Sequence, residues 1–217
     1  MKTFDVDSCR LFPEIEECPL VQLEKFLFSK GYRLIAGTDE VGRGCLAGPV
    51  FAAAVILPPD HGIEGIKDSK MLTARQRELL SEKIKEVAVS WALGVVEVSE
   101  IDRINIFQAS LKAMCIAVQA LSSKPDILLL DGKHSIPLFI PQKPTVKGDR
   151  HFQSVGAASI IAKVARDRLM CDLEKRFPKF SFSVHKGYPT AQHREEIRKH
   201  GPTSVHRMSF KLLEEDS

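Results

Sequence analysis

Asp39 and Glu40 end the apolar run RLIAGT and lead directly into the glycine-rich VGRGCLAGP. Adjacent carboxylates repel, and the cost of crowding them falls when a divalent cation sits between them, because hard cations favour carboxylate oxygen. Strand side chains alternate faces, so both acids reach one centre only if the backbone bends there, which Gly42 and Gly44 would permit. A third acid, Asp131, closes the apolar run Ile127 to Leu130, a position where open α/β sheets place functional groups. A fourth, Asp167, shares a helical stripe with Ile160, Val164 and Cys171. A carboxylate on such a face is expected to be protonated, paired with Arg43 or Lys163, or beside a metal, since burying it alone is expensive. Each acid also has a plainer reading: a solvated pair at a turn, a cap before Gly132, an ion pair beside Arg166 and Arg168. Together the four could hold two Mg²⁺ or Mn²⁺ ions, one assisting attack of water on phosphorus and one stabilising the leaving 3′ oxygen, which is phosphodiester hydrolysis. GRGCLAG lacks the Lys-Ser/Thr ending of a nucleotide-binding P-loop, and no GxSxG is present, so those two chemistries are set aside.

The elements that would position these acids are legible in outline. Leu20, Leu23 and Leu27 predict an N-terminal helix closed by Lys30-Gly31. RLIAGTDE and VFAAAVILPP predict two strands joined as a hairpin, the second stopped by Pro58-Pro59. Thr73 is the expected N-cap of a charged helix to about Val89, and SWALGVVEVS a third strand. A helix from about Ile106 to Leu121 precedes the buried strand DILLLDG. After the proline-rich stretch around Pro137, Pro141 and Pro144, residues 154–177 predict the longest helix, and Ala191 to His200 another, ended by Gly201-Pro202.

A chain of 217 residues with 44% hydrophobic and 27% charged residues is long enough for one sizeable core. Five scattered cysteines, none in CxxC, predict neither a disulfide framework nor a zinc knuckle and suit a reducing cytoplasm. Acids near the N-terminus and no long apolar window argue against a secretory signal or membrane partner. Residues 143–211 carry 15 Lys/Arg against 6 acids, the imbalance expected of a phosphate-binding surface, although a solvated basic face explains it equally well. His185, His193, His200 and His206 lack cysteine neighbours, so surface or phosphate contacts are expected of them rather than zinc.

DEVGRGCLAGPV, KDSKMLT, LLLDGK, AASIIAKVARD and HKGYPTAQH, in this order between Asp39 and His193, resemble the bacterial ribonuclease HII family. The resemblance implies an α/β, ribonuclease H-like fold: a mixed five-stranded sheet flanked by helices, with a C-terminal helical extension that grips substrate. It divides the chain into an N-terminal extension (1–30), a catalytic core (31–177) and the extension (178–217). It implies that Asp39, Glu40, Asp131 and Asp167 are catalytic and bind Mg²⁺ or Mn²⁺. Gly42, Arg43 and Gly44 would read the 2′-hydroxyl at an RNA-to-DNA junction, Tyr188 would pack on the following deoxyribose, and Lys70 would hold a phosphate. The implied partners are RNA:DNA hybrids and duplex DNA containing ribonucleotides, met by a cytoplasmic monomer, with a sliding clamp left open. The sequence departs from the family pattern at Lys133, after Asp131-Gly132, where asparagine is common. Arg43 between two glycines favours type HII over the sister type HIII. A non-catalytic hybrid-binding module would lack at least one of the acids, and a resolvase would have no use for GRG and GYPT.

Overall fold

The computed structural model describes Ile15, residues 18–66 and residues 72–213. Five strands, β1 (Ile35–Val41), β2 (Val50–Ile56), β3 (Ser90–Val96), β4 (Ile127–Asp131) and β5 (Gln142–Thr145), form one sheet in the order β3-β2-β1-β4-β5. The β1–β2 and β2–β3 pairs are antiparallel, and the β1–β4 and β4–β5 pairs parallel. The mixed five-stranded α/β sheet and the β1–β2 hairpin agree with the expected architecture. β2 is buried along its whole length because helices cover both faces, which its run of small apolar residues allows.

The N-terminal helix is a 3-10 turn (Leu20–Gln22) continuing into α1 (Leu23–Ser29). α2 (Ala74–Val87) starts at Thr73 with a full capping box shared with Gln76, worth about 1 kcal/mol. α3 (Val98–Ile104) follows β3, and Asn105, at φ 67°, breaks the chain into α4 (Ile106–Gln119) while its side chain accepts from the Gln108 N–H. α5 (Gly148–His151) precedes the long α6 (Gln153–Arg176), and α7 (Phe182–His185) and α8 (Ala191–His200) complete the C-terminal part.

Strand alternation assigns the two faces. Ala52 and Ala54 of β2 pack with α4, whereas Ala53 and Val55 pack with α6. Two glycines let these helices approach closely. A Cβ on Gly94 would stand 2.0 Å from the Ala113 carbonyl oxygen of α4, and one on Gly37 would stand 2.1 Å from the Ser154 backbone of α6. The C-terminal part is not set apart: Phe180, Phe182 and Ile197 share a cluster with Leu46 and Ala47 of the β1–β2 loop and with Met170 and Leu173 of α6. Among the described residues no helix is long and apolar enough to cross a membrane.

The sequence reading did not anticipate β5, α3, α5 or α7. β5 contains Pro144, and a proline is tolerated there because β5 is an edge strand with an outer side free of ladder bonds.

Candidate active site

β1 and β4 run parallel with Thr38 opposite Leu130, so Asp39 and Asp131 leave adjacent strands one step later, side by side. Neighbouring strands are about 4.8 Å apart, which crowds the two carboxylates. Both follow the parity of the α6-covered face, whereas Glu40 points to the opposite face and lines a cleft with Phe107, Ser110 and Met114 of α4 and with Asp131, Lys133 and His134. The bend expected at Asp39-Glu40 is absent: β1 keeps its ladder with β2 through Val41. The acids instead approach the end of the sheet from its two faces.

Asp39 is only 6% exposed. Burial raises its pKa well above the usual carboxylate range, and the charges of Glu40, Asp131 and Asp149 raise it further, while a hydrogen bond from Ser159 of α6 lowers it. The Glu40 N–H donates to Asp39 Oδ1 at 2.8 Å. Burial also raises Glu40, opposed by Arg43, whose guanidinium donates to Glu40 Oε1 at 3.1 Å. The leading neighbours of Asp39 are thus three carboxylates and one hydroxyl. Hard oxygen donors under mutual repulsion fit a divalent cation, which would relieve the desolvation and the crowding together. The carboxylates lie close without being drawn into a finished chelate: no three His, Cys, Asp or Glu side chains of the described residues stand in metal-holding arrangement.

Asp149 is a member of this group that the sequence reading missed. It is 5% exposed on α5, immediately after β5, and the preceding Gly148 N–H donates to Asp131 Oδ1 at 2.7 Å. An acid just past a strand end next to β4 was the available signal, hidden because the prolines made β5 read as loop.

Asp167 is not brought into the group. Ser159 reaches Asp39, and Asp167 lies eight residues further along α6, about 12 Å along the axis. Its Oδ1 accepts from Lys163 Nζ at 2.7 Å, and it borders a separate cleft with Arg77 and Glu78 of α2 and with Lys186. Of the pairings expected for it, Lys163 is the observed one, while Arg43 pairs with Glu40. Asp167 does lie on the long helix, but less deeply than its stripe with Ile160 and Val164 implied: its side chain is 21% exposed. Lys133 and His134 are exposed beside Asp131.

Gly42 follows β1 with φ 94°, and a Cβ there would stand 2.3 Å from Arg166 Nε, so both conformation and space require glycine. At Gly44 a Cβ would meet nothing within 4 Å. Tyr188 is 36% exposed, with Lys163 Nζ 5.5 Å and the Arg166 guanidinium 6.0 Å from its ring centre. Lys163 is one helical turn beyond Ser159, so Tyr188 and Asp39 flank one stretch of α6. Lys70 lies outside the described residues.

The expectation of surface histidines is corrected for three of the four. His185, His193 and His206 are buried, with His185 stacked on His193 and Phe182 packed edge-on or tilted against the group, and of the four only His200 is exposed. They are tolerated because each is neutral and bonded. The Thr203 N–H donates to His206 Nδ1 (2.9 Å), so His206 Nε2–H donates to His193 Nε2 (3.1 Å), and His193 Nδ1–H donates to the Tyr188 carbonyl (2.9 Å). His185 Nδ1 accepts from the Gly187 N–H and its Nε2–H donates to Glu196. Burial pushes His193 and His206 down to about 4, and lowers His185 despite Glu196. The unfolded chain, with histidines near 6.5, therefore binds more protons than the folded one as pH falls from 6.5 towards 4. The stability these histidines allow is fully present above 6.5 and drains away across that window. Thermal unfolding between pH 7.5 and 4.5 is expected to show the midpoint falling below pH 6.5, less steeply in His206→Gln; an equal slope in both proteins would contradict the buried neutral relay.

The mixed sheet, with carboxylates at the adjoining ends of its central parallel strands, fits the ribonuclease H-like enzymes, and solved structures of that class share the fold. The chain resembles the ribonuclease HII of Archaeoglobus fulgidus, solved in complex with PCNA, with a TM-score of 0.72 and 28% identity over 84% of this chain and 98% of that one. Residues 36–213 match the family model for ribonuclease HII. A ribonuclease HII of Nitrosococcus oceani is 54% identical over 177 residues, 82% of this chain and 88% of its own. One of Halalkalibacterium halodurans is 47% identical over 205 residues, 94% of this chain and 77% of its own. The chain belongs to the ribonuclease HII family, and is a ribonuclease H-type endonuclease.

Proposed function

We propose that the chain hydrolyses the RNA strand of RNA:DNA hybrids and incises 5′ to single ribonucleotides embedded in duplex DNA, leaving 3′-hydroxyl and 5′-phosphate ends. The observation that carries this reading is the gathering of Asp39, Glu40, Asp131 and Asp149 at one end of the sheet, beside the loop that bears Arg43. These four carboxylates, with Asp149 in the place expected of Asp167, would hold two Mg²⁺ or Mn²⁺ ions. Ions bound there supply an activated water and stabilisation of the leaving 3′ oxygen.

The remaining roles belong to the chain's own groups. The main chain at Gly42 and Gly44 is bare enough to approach a minor groove, where the 2′-hydroxyl distinguishes RNA from DNA. Arg43, half exposed and lightly held by Glu40, is free to turn to a phosphate with two parallel hydrogen bonds. Tyr188, 36% exposed, would pack on the sugar beyond the junction, and Asp167 holds Lys163 where it lies over that ring. Lys70 is assigned to a backbone phosphate on the strength of KDSK alone. The basic C-terminal third supplies the counter-charge for the duplex.

The test is to incubate the protein with Mg²⁺ or Mn²⁺ and an end-labelled duplex containing one ribonucleotide. Cleavage 5′ to that ribonucleotide, abolished by a chelator, is expected; cutting elsewhere, or cutting indifferent to the chelator, would reject the reading. Arg43→Ala is expected to lower kcat/KM about tenfold or more on the single-ribonucleotide duplex and less on an all-RNA hybrid, with the metal dependence unchanged. Equal losses on both substrates would remove Arg43 from junction reading.

A further inference from the structure

Arg166 of α6 and Arg207 near the C-terminus have no exposed surface, yet neither faces the acid cluster. Both guanidinium groups are occupied by main-chain oxygens. Arg166 donates to the carbonyls of Ala47 (3.0 Å), Pro49 (3.2 Å) and Lys186 (2.8 Å). Arg207 donates twice to the Gly48 carbonyl (3.0 and 2.8 Å) and once to that of Arg43 (3.0 Å). Main-chain bonds run the same way: Leu46 N–H to Gly187 O, Gly48 N–H to Val205 O, and Arg207 N–H to Leu46 O, each 2.8 Å.

A buried, hydrogen-bonded cation is costly unless every donor is used, and here each fork spans carbonyls that no sheet or helix would satisfy. The Arg166 side chain also fills the space where Gly42 has no Cβ. The loop of Arg43 and the turn of Tyr188 are therefore one piece, joined through Arg166 on one side and fixed by Arg207 on the other.

We infer that Arg166 and Arg207 are positioning residues for substrate selection: they set the distance between Arg43 and Tyr188, and so determine junction preference without touching nucleic acid. This rests on the proposed reading of Arg43 and Tyr188. It goes beyond general packing, which would treat all substrates alike.

The experiment uses the full chain carrying Arg166→Lys or Arg207→Lys, with Phe182→Leu as the control, because Phe182 is fully buried in the same cluster and contributes to neither fork. A single ammonium cannot span three divergent carbonyls as a planar fork does. The ratio of kcat/KM on the single-ribonucleotide duplex to that on an all-RNA hybrid is expected to fall about tenfold in Arg166→Lys, mainly through KM, with an unchanged metal titration. The control is expected to lower the melting temperature and keep the ratio within about twofold. A ratio that holds in both lysine variants, or that falls equally in the control, overturns the inference. Amide hydrogen exchange gives an answer independent of substrate. Residues 42–48 and 186–188 are expected to lose protection together in Arg166→Lys, and loss in only one segment, or in neither, also overturns it. Should the unaltered protein show no preference between the two duplexes, the proposed function is what fails, and the exchange result alone decides whether Arg166 and Arg207 join the loop to the turn.

Discussion

Asp131→Asn is expected to lower turnover by about a thousandfold while leaving hybrid binding measurable. An amide is a poorer ligand for a hard cation and removes one charge from the cluster, and a loss of several kcal/mol of transition-state stabilisation corresponds to about three decades in rate. The same substitution has a second signature. Burial, and after it the charges of Glu40, Asp131 and Asp149, hold the pKa of Asp39 well above the usual carboxylate range, so crowding is part of what this site costs the folded protein. With a chelator present, removing one of them should therefore stabilise the protein. In a chain of this size each 1 kcal/mol of relief raises the melting temperature by about 2 to 4 °C. Added Mg²⁺ or Mn²⁺ should raise the melting temperature of the unaltered protein more than that of Asp131→Asn, because only a ligand that favours the folded state stabilises it. Activity kinetics and thermal melts with and without metal check both parts, and unchanged cleavage would remove Asp131 from the site.

The second large effect separates Asp149, which the sequence did not single out, from Asp167, which it did. Asp149→Asn is expected to lower turnover by two to three decades, about as Asp131→Asn does, and to weaken the metal-dependent rise in melting temperature. Asp167→Asn should leave both the metal titration and kcat within about threefold, since Asp167 pairs with Lys163 at a partly exposed position away from the carboxylate cluster. Its effect should appear in KM, through a Lys163 no longer held over Tyr188. Steady-state kinetics with varied Mn²⁺ distinguish the two, and a larger loss of kcat in Asp167→Asn than in Asp149→Asn would restore Asp167 to the metal site.

The contrast between these two residues shows what was legible in the sequence. Asp39, Glu40 and Asp131 were visible because each ends a run of apolar residues whose only economical structure is a buried strand, and a strand end is a defined place. Asp149 also follows a strand, but β5 is a proline-containing edge of mixed polarity whose pairing is imposed by β4, a tertiary effect that local pattern does not carry. Asp167 stood out for the opposite reason: helical spacing gives angular position, not distance along the axis, and it is the distance from Ser159 that removes it from the cluster. The bend anticipated at Asp39-Glu40 followed from assuming that the two acids must share a face, whereas the exposed end of a sheet is accessible from both. Three histidines read as surface are buried because they bond to one another and to groups of the same C-terminal segment, a mutual pairing that residue type and spacing alone do not reveal. Arg166 and Arg207 gave no periodic signal, as their partners are the carbonyls of a loop distant in sequence. The β1–β2 hairpin and the long helix were thus written locally, and the joining of the Arg43 loop to the Tyr188 turn was not.

Soaking crystals of the protein in Mn²⁺ and recording anomalous scattering tests the central claim most directly. The account predicts density between Asp39 and Asp131, within coordination distance of Asp149 or Glu40. Density at Asp167 and Lys163, with none at the ends of β1 and β4, would contradict it.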